Sequence, residues 1–181
     1  MRKIRTIEMK RLTVEEFREA DKLPLVVVLD DVRSQYNVGS VLRTCDAFRV
    51  EEVWLCGITP RPPLQEIHKT ALGAEDSVAW YGAQSAAEAV ATLKERGYCV
   101  MAVEQVEHST KLPWFAADAS LKYAVVLGNE VKGVKQEVVD LCDGSLEIPQ
   151  LGTKHSMNVA VTAGIVIYHF AKDLIFGKER G

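Results

Sequence analysis

The chain has 181 residues, 48% of them apolar and 26% charged, with a formal net charge of −3. That length and apolar content suit one compact domain with a sizeable core and exclude a disordered chain. The acidic balance argues against a polyanion binder that is basic all over.

The charge is nevertheless uneven. Residues 1–11 carry Arg2, Lys3, Arg5, Lys10 and Arg11 against Glu8 alone. Such an arm either meets a polyanion locally or is a solvated terminus. Leu12 to Lys22 reads as a short amphipathic helix, with Thr13 and Glu16 spaced as a capping box. Pro24 then breaks the chain before Leu25–Leu29, a continuous apolar run expected to be a strand buried on both faces. Residues 1–24 are therefore read as an arm and helix, and 25–181 as the main domain.

A polar loop follows, with Asn37 as the expected N-cap of a helix on which Val41, Leu42, Cys45 and Phe48 recur at helical spacing. Gly39 and Arg43 share one face of that helix. A glycine there admits a second backbone, and the arginine projects toward a strand end, where open α/β sheets hold their sites. Val53–Cys56 is a second strand, Gln65–Leu72 a short helix ending at Gly73, and Ser77–Tyr81 a third strand. Ala83–Arg96 is an alanine-rich helix closed by Gly97, and Cys99–Glu104 a fourth strand. His108 to Trp114 is a loop whose aromatics Trp114 and Phe115 either pack beneath it or stack on a base. Tyr123–Leu127 is a fifth strand running into Gly128-Asn129-Glu130, which puts a glycine and a carboxylate at its exit. Gln136–Cys142 is a short helix.

Ser145–Pro149 is a last strand, stopped by a proline that has no N–H for the ladder. After a polar loop, Ser156-Met157-Asn158 opens an apolar helix to Phe176. A strand end, a tight loop and a helix start leave backbone donors and acceptors free for a ligand, although an ordinary corner has the same pattern. Thr162, Gly164, His169, Lys172 and Asp173 interrupt the apolar run, so it reads as a buried helix, not a membrane span. Strands alternating with helices predict a mainly parallel α/β sheet covered on both faces.

The four cysteines, Cys45, Cys56, Cys99 and Cys142, form no C-x-x-C pair and no zinc-like cluster with histidine. No metal is expected. Reduced thiols and a charged, non-apolar start point to a reducing, cytoplasmic setting without a signal peptide.

Three loops stand in order: Asn37-x-Gly39-x-x-x-Arg43-Thr44, then Leu127-Gly128-Asn129-Glu130, then Ile148-Pro149 with Ser156-Met157-Asn158-Val159. The set resembles the signature motifs of the SpoU (TrmH-type) RNA ribose 2′-O-methyltransferases of the SPOUT superfamily, from about Leu25 to Phe170. The resemblance implies a SPOUT fold whose C-terminal part is threaded into a deep trefoil knot. It implies S-adenosylmethionine as cofactor, with the backbone at Leu127, Gly128, Ile148 and Met157 around the adenosine. It also implies an RNA substrate, tRNA more than rRNA, and a homodimer that uses the helix from Asn158 to Phe176 and builds each site from both chains.

By the same resemblance Arg43 is the central catalytic residue. A guanidinium keeps its proton, so its expected work is gripping phosphate and stabilising charge on the ribose oxygen. Asn37 orients the arginine or the substrate, Glu130 fixes Arg43 or takes the proton, and Ser156 and Asn158 shape the site. The chain departs from the family in having only residues 1–24 before the first strand, where many relatives carry an RNA-binding domain. It also reads Ser-Met-Asn for the commoner Ser-Leu-Asn. The arm, Arg33, Arg61, Lys69, Lys132 and Lys154 are candidates for gripping RNA. The rival expectation is a catalytically silent RNA- or nucleotide-binding module on the same fold. A dinucleotide-binding enzyme is disfavoured because no G-x-G-x-x-G follows the first strand.

Overall fold

A computed structural model describes residues 1–5 and 8–177. Residues 6 and 7 of the basic arm and 178–181 of the main domain lie outside the described residues. Helix α1 spans Val14–Glu19, and the Thr13–Glu16 capping box forms in full. Strand β1 runs Leu23–Asp30, α2 Gln35–Ala47, β2 Val50–Cys56, α3 Gln65–Ala71, α4 Ala74–Ser77, β3 Trp80–Ala83 and α5 Ala86–Glu95. Then come β4 (Tyr98–Val103), β5 (Thr110–Lys111), β6 (Lys122–Leu127), α6 (Gln136–Val139), β7 (Gly144–Glu147) and α7 (Val159–Ala171), which runs on as a π-helical turn to Phe176.

The seven strands form one sheet in the order β3-β2-β1-β6-β4-β7-β5. Every pairing is parallel. Strand β1 sits near the middle, and its side chains alternate between two cores. Leu23, Leu25, Val27 and Leu29 face α2 and α7, while Val26 and Val28 face α5 and α6. Burial on both faces is why the run reads as unbroken hydrophobics rather than as an alternation. Each such side chain contributes roughly 1.5–3 kcal/mol by leaving water.

Several boundaries differ from the sequence reading. Pro24 lies inside β1, where the register shifts between Leu23 and Val26; an irregularity near a strand start tolerates a residue that cannot donate. Residues 74–77 are helical, which delays β3 to Trp80. Ala83 ends β3, and Ser85 caps α5 by accepting from the Glu88 N–H. Asn37 is not the N-cap of α2. Ser34 takes that place, its hydroxyl accepting from the Asn37 N–H at 3.3 Å. The loop before β6 contains the two-residue edge strand β5. Its aromatics part company: Phe115 packs on Tyr123 and Phe170, whereas Trp114 is 80% exposed.

Helix α7 buries Val159, Ala163, Val166, Ile167 and Phe170 against the sheet. Its opposite side shows Val161, Ile165 and Tyr168 to solvent at helical spacing, each at least 38% exposed. Helices α2 and α3 touch through Gly39. A Cβ there would stand 2.1 Å from Thr70 Oγ1 and 2.3 Å from the Ile67 carbonyl oxygen. The Thr70 hydroxyl also donates to the Tyr36 carbonyl at 3.0 Å. Because backbone cannot retreat as a side chain can, Gly39→Ala is expected to cost about 1–3 kcal/mol, measured as a lower urea midpoint with unchanged slope.

Candidate active site

The C-terminal ends of β4, β6 and β7 open onto a cavity of about 500 Å³, a size ordinary for a small-molecule site. Leu127 and Gly128 line it from the end of β6, Ile148 from beyond β7, and Ser156 and Met157 from the approach to α7. The turn after β6 folds back on itself. Asn129 N–H donates to the Gly133 carbonyl at 3.0 Å, and Gly133 N–H to the Asn129 carbonyl at 2.9 Å. That return passes so close to the strand exit that a Cβ on Gly128 would lie 2.1 Å from Gly133 C and Val134 N. Glycine at 128 is therefore what allows the cradle to close.

Beside the cavity three distant loops are tied by one hydrogen-bonded relay. Glu130 accepts from the N–H of Arg33 (3.0 Å), the N–H of Ser34 (3.1 Å) and Asn37 Nδ2 (2.9 Å). Asn37 Oδ1 in turn accepts from Asn158 Nδ2 at 3.1 Å. Asn158 Oδ1 accepts from the N–H of Ala160 and Val161, capping α7. Placing Asn37 inside the first turn of α2 leaves its amide free to work in both directions. Burial pushes the Glu130 carboxyl up, but the N–H of Arg33, the Asn37 amide and the N–H of Ser34 outweigh it, and its pKa lies below the ordinary value.

Asn37, Glu130 and Asn158 are thus brought together, and Leu127, Gly128, Ile148, Ser156 and Met157 wall the adjoining cavity. Arg43 is not among them. Its backbone lies about 9 Å beyond that of Asn37 along the α2 axis, at roughly 1.5 Å per residue, and its side chain is not part of the cavity lining. It is exposed and, among the described residues, makes no hydrogen bond or ion pair. Of the candidate grips for a polyanion, Arg33, Lys132 and Lys154 are exposed. Arg61 folds onto the Ala83 carbonyl at 2.9 Å, Lys69 pairs with Glu66 at 2.6 Å, and Arg2 of the arm pairs with Glu8 at 3.1 Å. His68 is likewise engaged, with Glu75.

Sequence reasoning passed over four participants. Asn129 Nδ2 donates to the Asp31 carbonyl at 2.7 Å, and Lys135 Nζ pairs with Asp31 at 2.6 Å, so the first and second loops are fastened twice more. Gln105 Nε2 reaches the His155 carbonyl at 2.8 Å, and Glu104 lines the cavity. Asn129 lay within a motif already singled out; the other three carry no local signal.

The lowered pKa of Glu130 sets the sign of a pH effect. Its contribution to stability is complete above the ordinary glutamate value of about 4.3 and is lost as pH falls through the lower folded value. The stability gap between the wild type and Glu130→Gln is therefore expected to stay level at neutral pH and shrink below about pH 4, as read from urea unfolding at stepped pH.

The SpoU rRNA Methylase family profile matches residues 24–168. The tRNA (guanosine(18)-2′-O)-methyltransferase of Thermus thermophilus is 32% identical over 161 residues, which is 89% of this chain and 81% of that one. A TrmH family chain of Staphylococcus saprophyticus is 31% identical over 155 residues; the match takes in 86% of this chain and 61% of that relative's length. Among solved structures, the A. aeolicus TrmH/SpoU tRNA modifying enzyme superposes with a TM-score of 0.79 at 24% identity, covering 92% of this chain and 84% of that one. An AdoMet-bound rRNA methyltransferase from Sinorhizobium meliloti superposes with a TM-score of 0.78 at 25% identity, covering 88% and 60%. By its matched length, and by the three loops that its fold draws together, this chain belongs to the SpoU methylase family.

Proposed function

We propose that the chain is an S-adenosylmethionine-dependent RNA methyltransferase acting on a ribose 2′-hydroxyl, with tRNA as substrate in preference to rRNA, in the cytoplasm. The observation that carries this reading is the relay from Glu130 through Asn37 to Asn158, which ties residues of all three family motifs together beside a cavity lined by the second and third. The 2′-O-methyltransferase of Thermus thermophilus, matched along most of both chains, supports the reaction and the tRNA preference. The AdoMet-bound relative from Sinorhizobium meliloti supports the cofactor.

The cavity fits the cofactor in size, and the Gly128 cradle brings bare backbone to its wall. Leu127, Gly128, Ile148 and Met157 would hold the adenosine. When bound, S-adenosylmethionine supplies a methyl group on a sulfonium, already joined to a good leaving group. The protein's task is then to position the ribose hydroxyl and stabilise the charge that grows on its oxygen. Glu130 is spent on three N–H donors and acts by holding Asn37, not by taking a proton. Ser156 faces the cavity and shapes its mouth. Arg43 grips phosphate and offsets the charge on the ribose oxygen.

Arg43 does not line the cavity of its own chain, which supports a homodimer in which the partner's arginine completes each site. The exposed Val161, Ile165 and Tyr168 of α7 are suited to be covered by a second copy rather than by a membrane. The strand order supports a threaded C-terminal knot, because β7 enters between β4 and β5, both earlier in the chain. Such threading is rare.

Arg43→Ala is expected to leave S-adenosylmethionine binding intact by calorimetry and to lower tritium-methyl transfer to unmodified tRNA by at least about 100-fold. Turnover near the wild-type level would contradict the assigned role, and cofactor binding by the wild type without transfer to any RNA would favour a silent binding module. Ile165→Asp is expected to convert the dimer to a monomer in sedimentation experiments and to reduce transfer in step. A wild-type protein that sediments as a monomer at full activity would remove the shared site.

A further inference from the structure

Glu104 is a carboxylate on the cavity wall to which the three family motifs assign no work. It follows β4 directly, and its backbone is locked. Its N–H donates to the Leu146 carbonyl at 3.1 Å, and its own carbonyl accepts from the Ser145 hydroxyl at 3.0 Å. The side chain is aimed as firmly. Oε1 accepts from the Gln105 N–H at 2.8 Å and Oε2 from the Val134 N–H at 2.9 Å. Across from it the chain gives up a side chain: Gly133 sits at φ +67, and a Cβ there would stand 2.1 Å from Glu104 Oε2. A half-buried carboxylate has been given room and two fixed donors, but among the described residues no cation.

Two N–H donors leave acceptor capacity on both oxygens, and Gly128, Leu146 and Ile148 share the same cavity wall. The chemical partner of a fixed carboxylate with two oxygens to spare is a pair of neighbouring hydroxyls. At the end of a parallel strand in an open α/β sheet, that pattern of acid and vicinal diol is how a nucleoside sugar is held. Resting on the cofactor reading above, we infer that Glu104 binds the 2′- and 3′-hydroxyls of the cofactor's ribose and makes the cavity selective for a ribonucleoside over its deoxy counterpart.

A plain structural role is the rival, since Glu104 also clamps the turn at Val134, and the test separates them. Calorimetry on the full chain uses 5′-deoxy-5′-methylthioadenosine, which lacks the amino-acid tail, and its 2′-deoxy analogue. The wild type is expected to bind the ribose form about 10- to 100-fold tighter, the range of a hydrogen bond to a charged group. Glu104→Ala should bind both compounds alike, and more weakly than the wild type binds the deoxy compound, because it loses the bond to the 3′-hydroxyl as well, so that the preference disappears. Glu104→Gln keeps one acceptor oxygen and should retain a reduced preference; it decides the matter if the alanine variant does not fold. A variant that weakens both compounds by the same factor, keeping the wild-type ratio, overturns the inference and leaves a loop clamp. A wild type that binds S-adenosylmethionine without distinguishing the two sugars overturns it while sparing the cofactor reading, and a wild type that binds none of the three ligands overturns both.

Discussion

The site depends on one side-chain amide being read from both ends. Asn37 donates to the carboxylate of Glu130 and accepts from Asn158, and the oxygen of Asn158 caps the helix that closes the fold. Asn37, Glu130 and Asn158 are far apart in sequence, so the two bonds that Asn37 makes with the others each enclose a long loop of chain. The carboxylate end is the strong one, because hydrogen bonds to an ionised group exceed neutral ones. A negative charge at one end and the positively polarised start of α7 at the other give the relay a consistent direction.

The sheet makes that meeting possible. All strands are parallel, so every strand exit lies on the same edge, and the connections that leave that edge are brought into one neighbourhood. Apolar packing sets the distances: α2 lies against α3 through Gly39, and α7 lies on the core through Ala163 and Phe170. The polar ties among Asp31, Asn129 and Lys135 then select one arrangement of the loops above. Core and relay are links of one chain, since a shift of α2 on α3 would move Asn37 away from both its partners.

The strands at Leu25–Leu29 and Tyr123–Leu127 were legible in the sequence, because a short run rich in β-branched residues between turn signals favours a strand, and the first was expected to be buried on both faces. The cap at Thr13 was equally plain, being a local pattern with a local cause. What stayed hidden depends on remote partners. Strand β5 has two residues and exists only by pairing with Leu146 and Glu147. Asn37 looked like a cap because asparagine favours that place, but Ser34 competed for it and won. Arg43 carries a chemical expectation that the sequence could state, yet its exposure and its absence from the cavity lining depend on how α2 packs on its neighbours. Glu104 looks from its neighbours like no more than a strand end; its surroundings come from a glycine turn much later in the chain.

The mouth of the cavity is built more lightly than its floor. Residues 151–156 are exposed throughout, and among the described residues the amide of Gln105 on the His155 carbonyl is the side-chain hydrogen bond that reaches them. One neutral bond of that kind is worth only about 0.5–1.5 kcal/mol, far less than disturbing the sheet. The stretch over the mouth can therefore shift at the cost of one neutral hydrogen bond, while the hydrogen-bonded frame beneath it stays in place.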